Sequence, residues 1–393
     1  MVVVRGKTNM KSESAPTLCF IINCDYRSIG GSRTRFRKEL EYFSTKNYRL
    51  TVIYSSGTAE KSFTKKNVNY YNIRHFRYLP VLYQLRLFFK CLKLYSSDSR
   101  ITFVAHEPIS LIPPSFLRVA GLHPRTVLVM HGPSAVETYL RGNKTIATFL
   151  SMIDRIAFRL AGRIIAISEY ERDYAVSLKA NPGKITIIRN GIELPRLTKD
   201  SSFRQEMGIP SDKVLIGYLG TVAAYRGTEF LIKAFPIAKT LTKASLALVL
   251  VFREELNAEQ RRRIAEIAGY DEDVFISRPR EDISPVLPAL DIYASHFSKR
   301  VDGIGFSIME AMGGALPVIT GTDAITAKLL RDGYNAILVS KENSREIAMA
   351  IKKLAENPLI RKTIGANAKK TAQFEFSKEH MVTLVEKEYV RDQ

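Results

Sequence analysis

Arg300-Val301-Asp302-Gly303-Ile304-Gly305-Phe306-Ser307-Ile308-Met309-Glu310-Ala311-Met312-Gly313-Gly314-Ala315-Leu316-Pro317-Val318-Ile319-Thr320 constrains this chain more than any other stretch of it. It sets two carboxylates, Asp302 and Glu310, on either side of seven residues, with a Gly-x-Gly turn after the first. Gly303 and Gly305 allow the backbone to approach a ligand where a Cβ would intrude. The run from Phe306 has helical character, so the unpaired N–H groups at its start face whatever occupies the turn. At a helical rise of about 1.5 Å per residue the two carboxylates stand roughly 12 Å apart. That spacing fits a nucleotide diphosphate-sugar: sugar hydroxyls by Asp302, phosphate at the helix start, ribose by Glu310. A solvated aspartate and an ordinary helical glutamate fit the spacing too, and spacing alone leaves both readings open.

The segment ends on a short apolar run, 317–320, and similar runs recur along the chain. In the first half they are 18–22, 50–54, 101–104, 126–130, 164–167 and 185–188; in the second, 214–220, 246–251, 274–277, 292–294 and 336–339. Helix-length segments separate them, among them the helix ending near Phe43 and those at 227–243, 346–356 and 359–371. Strands alternating with helices predict parallel βαβ units in doubly wound sheets. A chain of 393 residues exceeds what one core serves. The polar, Pro-containing stretch 194–203 reads as a linker. The expected fold is therefore α/β with two Rossmann-like domains, and such sheets place their ligands at a cleft.

Composition narrows the class. Hydrophobic residues are 46% and charged residues 25%, the balance of a globular protein. No apolar run reaches the roughly 20 residues that span a bilayer, and the N-terminus carries no signal-peptide core. Cys19, Cys24 and Cys91 have neither metal-ligand spacing nor the pattern of a disulfide framework. These features predict a cytoplasmic protein. The net charge is +20, unevenly spread: residues 1–195 hold 30 Lys/Arg against 13 Asp/Glu, and the remainder 29 against 26. A basic first half predicts a polyanionic partner, whether anionic lipid, nucleic acid or an acidic polymer.

Several residues could carry chemistry, each with a plainer alternative. Gly30-Gly31 after the first strand could cradle phosphate or form a tight turn. His131 and His106 each follow a strand, where open α/β sheets place ligand groups and also ordinary structural histidines. Arg226, at a helix start, could pair with diphosphate oxygens or be solvated. Asp271-Glu272-Asp273 has the D-x-D form of a metal site, but it precedes a strand and reads as a solvated acidic loop. No His/Cys/carboxylate cluster argues for a metal. Residues 78–95 place Val81, Leu85, Phe88, Leu92 and Tyr95 at helical spacing, beside Arg86, Lys90 and Lys93. That is either a core helix with a basic rim or a helix lying on anionic lipid.

From residue 18 to about 380, the order of these pieces resembles the retaining glycosyltransferases of family 4. The 300–320 segment is similar to that family's E-x7-E signature, with Asp302 in the first acid position and Ala315 before Leu-Pro. Ser28-Ile29-Gly30-Gly31 resembles its opening glycine loop, and Val129-Met130-His131-Gly132 its strand-end His-Gly. Residues 167–172 and 187–192 resemble its Ser and Asn-Gly segments. Gly220-Thr221…Tyr225-Arg226-Gly227 resembles a segment that normally carries two basic groups; Thr221 fills the first place, with Arg253 as a stand-in. Phe252-Arg253-Glu254-Glu255 replaces the family's G-x-G, and Ser295-His296 its Pro-Ser.

The resemblance implies the GT-B fold. Residues 1–195 would form an acceptor-binding domain, 196–375 a nucleotide-sugar domain, and 376–393 a helix returning toward the first. It implies transfer of a hexose, with retention and without a metal, from a UDP- or GDP-linked donor to a glycan or lipid-linked acceptor. Asp302, His131 and Arg226 would be catalytic. Glu310, Gly303, Ile304, Gly305, Phe306, Ser307, Thr221 and Arg253 would bind donor, and Gly30, Gly31 and His106 would line the acceptor side. No cofactor and no nucleic acid are expected. The alternatives are a UDP-sugar 2-epimerase on the same fold, whose additional acid/base groups are not evident, and a non-catalytic polyanion-binding protein.

Overall fold

A computed structural model describes every residue except 1–14, 29–30, 57–61, 75–79, 141, 196–201, 222–226, 281–284, 300–302 and 392–393. The chain divides into two compact units, one of residues 1–167, 171–188 and 382–393 and the other of 168–170 and 189–381.

The first unit is built on eight strands: β1 (Thr17–Ile22), β2 (Arg49–Tyr54), β3 (Phe63–Lys65), β4 (Val68–Asn72), β5 (Thr102–Ala105), β6 (Arg125–Val129), β7 (Arg163–Ala166) and β8 (Ile185–Ile187). They lie in the order β3-β4-β2-β1-β5-β6-β7-β8, and all pairings are parallel except the β3–β4 hairpin. The helices are α1 (Gly31–Ser44), α2 (Pro80–Ser97), α3 (Pro108–Phe116), α4 (Ser134–Leu140), α5 (Lys144–Leu160) and α6 (Glu169–Ser177). β1 is buried along its whole length, as a central parallel strand covered on both faces must be. α3 packs against both α2 and α5, as right-handed crossovers bringing all three to one face require. A short helix, α7 (Ser202–Met207), opens the second half.

The second unit carries β9 (Val214–Gly220), β10 (Leu246–Phe252), β11 (Val274–Ile276), β12 (Ile292–Ser295), β13 (Val318–Gly321) and β14 (Ile337–Val339), in the order β11-β10-β9-β12-β13-β14. Every pairing is parallel. Its helices are α8 (Thr228–Leu241), α9 (Ala258–Ile267), α10 (Phe306–Gly313), α11 (Thr326–Leu329), α12 (Ser344–Glu356) and α13 (Pro358–Glu375). Alternation along β9 and β10 sends Ile216, Leu248 and Leu250 into one core and Leu215, Ala247 and Val249 into another, so both faces are covered. The last helix, α14 (Lys378–Val390), begins in this unit, and residues from 382 belong to the first.

The expected strands are present within a residue or two at their ends. The hairpin β3–β4 and the helix α3, with Pro113 and Pro114 inside it, are additions. In α2 the core stripe differs from the one expected. Tyr83, Leu87 and Cys91 are buried, whereas Val81 and Leu85 are exposed and Phe88, Leu92 and Tyr95 half-buried.

Candidate active site

In the second unit the strand order reverses between β9 and β12, the point at which open α/β sheets bind ligands outside the strand carboxyl ends. Thr221 follows β9. Its Oγ1 is buried and has no partner among the described residues, while its carbonyl accepts a 2.9 Å hydrogen bond from the Tyr218 hydroxyl. Arg253 follows β10, its N–H bonded to the Gly220 carbonyl at 3.1 Å. Gly227, which caps α8, has φ +75°, and a Cβ there would come within 2.4 Å of the Ser298 nitrogen. Only glycine lets the first turn of α8 rest against the segment leaving β12.

That segment leads into the Gly-x-Gly turn and α10. Gly303 is left-handed at φ +84°, and Gly305 is extended at φ −76°, ψ 162°, where it caps α10 without a side-chain bond. Residues 303–305 are thus not helical, and the helical rise toward Glu310 begins only at Phe306. A Cβ on Gly305 would meet His296 Nε2 at 2.8 Å. His296 is buried with φ +63°, and its Nδ1 lies 2.8 Å from Ser295 Oγ. The Ser-His pair therefore shapes the turn from beneath. Asp323, just past β13, accepts hydrogen bonds from the N–H of Gly303 at 3.3 Å, Ile325 at 2.9 Å and Thr326 at 2.8 Å, and from Lys341 Nζ at 3.0 Å. Burial opposes its charge, but the Thr326 N–H and Lys341 outweigh it and hold the carboxyl below the usual range. Glu310 is the fifth residue of α10 and half-buried; Ile304, Phe306 and Ser307 are half-buried at the turn and helix start. Asp302 and Arg226 lie outside the described residues.

The first unit has the same kind of reversal, between β1 and β5. Gly31 begins α1; Gly30 lies outside the described residues. His106 follows β5 and His131 follows β6, and the structure brings the two together. His106 Nδ1 lies 2.9 Å from His131 Nε2, and the rings stack at 5.2 Å with 14° between their planes. Behind them is a buried set of charges. His106 Nε2 is 3.5 Å from Glu39 Oε2, which accepts from the Tyr389 hydroxyl at 2.6 Å; Glu39 Oε1 accepts from Arg35 Nε at 2.7 Å. Arg35 also donates to the Ile188 carbonyl at 2.8 Å. Burial, with Arg35 adding to it, pushes His106 down to about 3; burial, His106 and Arg35 push His131 well below its ordinary value. Both rings are neutral at physiological pH.

Glu107, beside His106, accepts from the Asn23 N–H at 3.0 Å. Burial pushes its carboxyl up to about 7, against the Asn23 N–H, Ser110 and Arg33. Cys24 is likewise raised to about 11, chiefly by burial, and the thiols of Cys19 and Cys91 are fully buried.

Asp271 and Asp273 do not form a solvated loop. Lys239 Nζ bonds Asp271 at 2.9 Å and Asp273 at 2.8 Å, and Lys213 pairs with Asp273, which is buried. Among the described residues no group of three or more His, Cys, Asp or Glu is placed to hold a metal ion. No motif or spacing points to Glu39, Arg35 and Tyr389, whose meeting depends on the fold. Glu107 could have been found, since it sits at the strand end next to His106.

Residues 29–196 match the family described as Glycosyltransferase Family 4, and residues 199–371 match Glycosyl transferases group 1. The chain is 23% identical over 366 residues to an uncharacterized glycosyltransferase of Methanocaldococcus jannaschii, covering 87% of this chain and 90% of that one. It is 23% identical over 357 residues to the capsular polysaccharide biosynthesis glycosyltransferase CapM of Staphylococcus aureus, covering 89% and 92%. Among solved structures, sucrose-phosphate synthase from Thermosynechococcus elongatus superposes with a TM-score of 0.78 at 16% identity, covering 95% of this chain and 98% of that one. Anabaena HepE, solved with UDP and glucose, superposes with a TM-score of 0.73 at 19% identity, over the same shares. The two largely parallel Rossmann-like sheets have the GT-B fold, and the family matches make the protein a glycosyltransferase that uses nucleotide sugars. The chain belongs to the glycosyltransferase group 1/family 4 enzymes, a retaining family.

Proposed function

We propose that the protein transfers a hexose, with retention and without a metal, from a UDP- or GDP-linked donor to a glycan or lipid-linked acceptor in polysaccharide or glycolipid synthesis. The observation that carries this reading is the turn 303–305 feeding α10 at the reversal point of the second sheet, with Glu310 on its second turn. Residues 196–375 form the donor domain and 1–195 the acceptor domain, with the last helix returning to the latter. Glu310 binds the ribose, and Asp302 lies by the sugar. Arg226, with Thr221, Arg253 and the N–H groups at the start of α10, receives the diphosphate. Stabilising that leaving group as charge develops on it is the main contribution to rate. His131 meets the donor sugar, and Gly30, Gly31 and His106 border the acceptor. UDP in HepE and the name of CapM support the donor and acceptor classes.

The membrane surface is the natural location for a lipid-linked acceptor. Two helices of the first unit support it: α2 exposes Val81, Leu85 and Phe89, and α5 exposes Ile146, Phe149 and Met152. Among the described residues no helix is long and apolar enough to cross a membrane, so contact of this kind is peripheral.

The deciding experiment is donor titration of Glu310→Ala and Glu310→Gln. Losing charged hydrogen bonds to a ribose costs about 1.5–3 kcal/mol, roughly tenfold to a hundredfold in affinity. Affinity and turnover unchanged in Glu310→Ala would refute the assignment.

A further inference from the structure

The buried chain Arg35–Glu39–His106–His131 carries a consequence for how His131 meets its substrate, and it rests on the reading that His131 contacts the donor sugar. A neutral histidine has one N–H and one lone pair, and neighbours decide which nitrogen bears which. The carboxylate of Glu39 is acceptor-only, with Arg35 and Tyr389 donating to its two oxygens. It stands 3.5 Å from His106 Nε2. That distance is too long for a hydrogen bond, and Nε2 has no hydrogen-bond partner among the described residues, but a lone pair there would face the carboxylate's charge, so the proton belongs on Nε2 and the lone pair on Nδ1. His106 Nδ1 meets His131 Nε2 at 2.9 Å, so the proton between them must come from His131. That leaves the lone pair of His131 on Nδ1, an atom that is buried and without a partner among the described residues.

We infer that Glu39 and His106 act as positioning residues that set the tautomer of His131, so that it presents Nδ1 to the donor as a hydrogen-bond acceptor. His131 then accepts from a sugar hydroxyl and discriminates against a donor deoxygenated at that hydroxyl. Because the selection passes through two rings, changing Glu39 alters a contact it does not make. The stacked, nearly parallel rings and the edge of Phe36, 5.0 Å from His106, hold the geometry.

The test uses the full chain with 15N-labelled histidine, the His131 signals being assigned by their loss in His131→Asn. In the wild type the His131 Nδ1 shift should be that of an unprotonated nitrogen and Nε2 that of an N–H, unchanged between about pH 6 and 8. Glu39→Gln removes the acceptor-only group but leaves Arg35 buried without its counter-ion, a cost that threatens folding. His106→Phe keeps the ring volume and the Arg35–Glu39–Tyr389 bonds, so it is the primary variant. In it the His131 signals should move to a mixture of tautomers, and kcat/KM should fall about tenfold, one hydrogen bond's worth. A wild-type His131 protonated on Nδ1, or a tautomer unchanged in His106→Phe, would overturn the relay. Full turnover by His131→Asn would instead overturn the donor-contact reading, and the spectrum judges the relay separately.

Discussion

At the residue scale, the first unit holds three titratable groups away from their ordinary charge states, and the signs differ. His106, at about 3 in the fold, stays neutral while the unfolded chain takes up a proton below about 6.5. Its folded value is depressed, so stability is lost as pH falls below 6.5, by about 2 kcal/mol at pH 5. His131 acts in the same direction. Glu107, raised from 4.5 to about 7, does the opposite: its contribution is full below 4.5 and lost as pH rises through 7. At pH 8 that loss is about 3 kcal/mol. Two substitutions separate the terms. Glu107→Gln, which keeps an acceptor for the Asn23 N–H, should raise the melting temperature at pH 8 and leave it unchanged near pH 4.5. His106→Phe should flatten the acid-side loss between pH 6.5 and 5. Parallel melting curves across that range for wild type and both variants would show that these groups carry their ordinary charges. None of this was legible beforehand, because a strand-end histidine looks the same in sequence whether it is solvated or locked against a buried carboxylate. The signature around Glu310 was legible, because glycines that must admit a neighbouring backbone or ring leave a spacing that can be read directly.

Elements were legible where the apolar period was clean. The parallel strands stood out as continuous apolar runs because both faces are covered. The β3–β4 hairpin did not, since β3 is exposed throughout and carries no apolar pattern. α3 was hidden by its own Pro113 and Pro114. In α2 the heptad-like stripe mixed two faces, and only the fold separates Tyr83, Leu87 and Cys91 inside from Val81, Leu85 and Phe89 outside. This outer face is joined by α5, where Phe149 is 60% and Met152 57% exposed. The sequences of α2, α3 and α5 hold Arg86, Lys90, Lys93, Lys144, Arg155 and Arg159, and their one acid, Asp154, is buried and accepts from Tyr174. Apolar side chains among an excess of cations suit an anionic bilayer surface. Flotation with vesicles containing anionic phospholipid should therefore recover the protein, and vesicles of zwitterionic lipid alone should not. Phe89→Glu combined with Phe149→Glu should weaken recovery at least tenfold, and raising salt should weaken it further. Equal recovery on neutral vesicles, or a double variant that floats like wild type, would remove these helices from the membrane contact.

At the scale of the whole molecule, the path of the chain matters more than any one element. The first unit is not finished when the chain leaves it: residues 382–393 return after the second unit is built. Tyr389 on that returning segment is 1% exposed, stacks on Phe43 at 5.6 Å and donates to Glu39, 350 positions away. Tyr42 and Tyr48 both donate to Glu386 at 2.7 Å, so the segment is fixed at more than one point. A charge pattern cannot disclose a partner so distant, which is why nothing in the sequence singles out Arg35 and Glu39. Ending the chain after Met381 should uncover Phe20 and Phe43 and leave Glu39 with one donor fewer. Loss of a buried aromatic alone costs about 3–5 kcal/mol, comparable to the stability of a domain. Tyr389→Phe keeps the ring and removes the charge-assisted bond, so it should cost less, about 1.5–3 kcal/mol. The second unit keeps its sheet and both cores, so the truncated chain should melt in two steps. The early step should expose the first unit to limited proteolysis, while 189–381 resists. A single transition at the wild-type temperature would mean that the returning segment contributes nothing to the first unit, and the buried Glu39 would need another account.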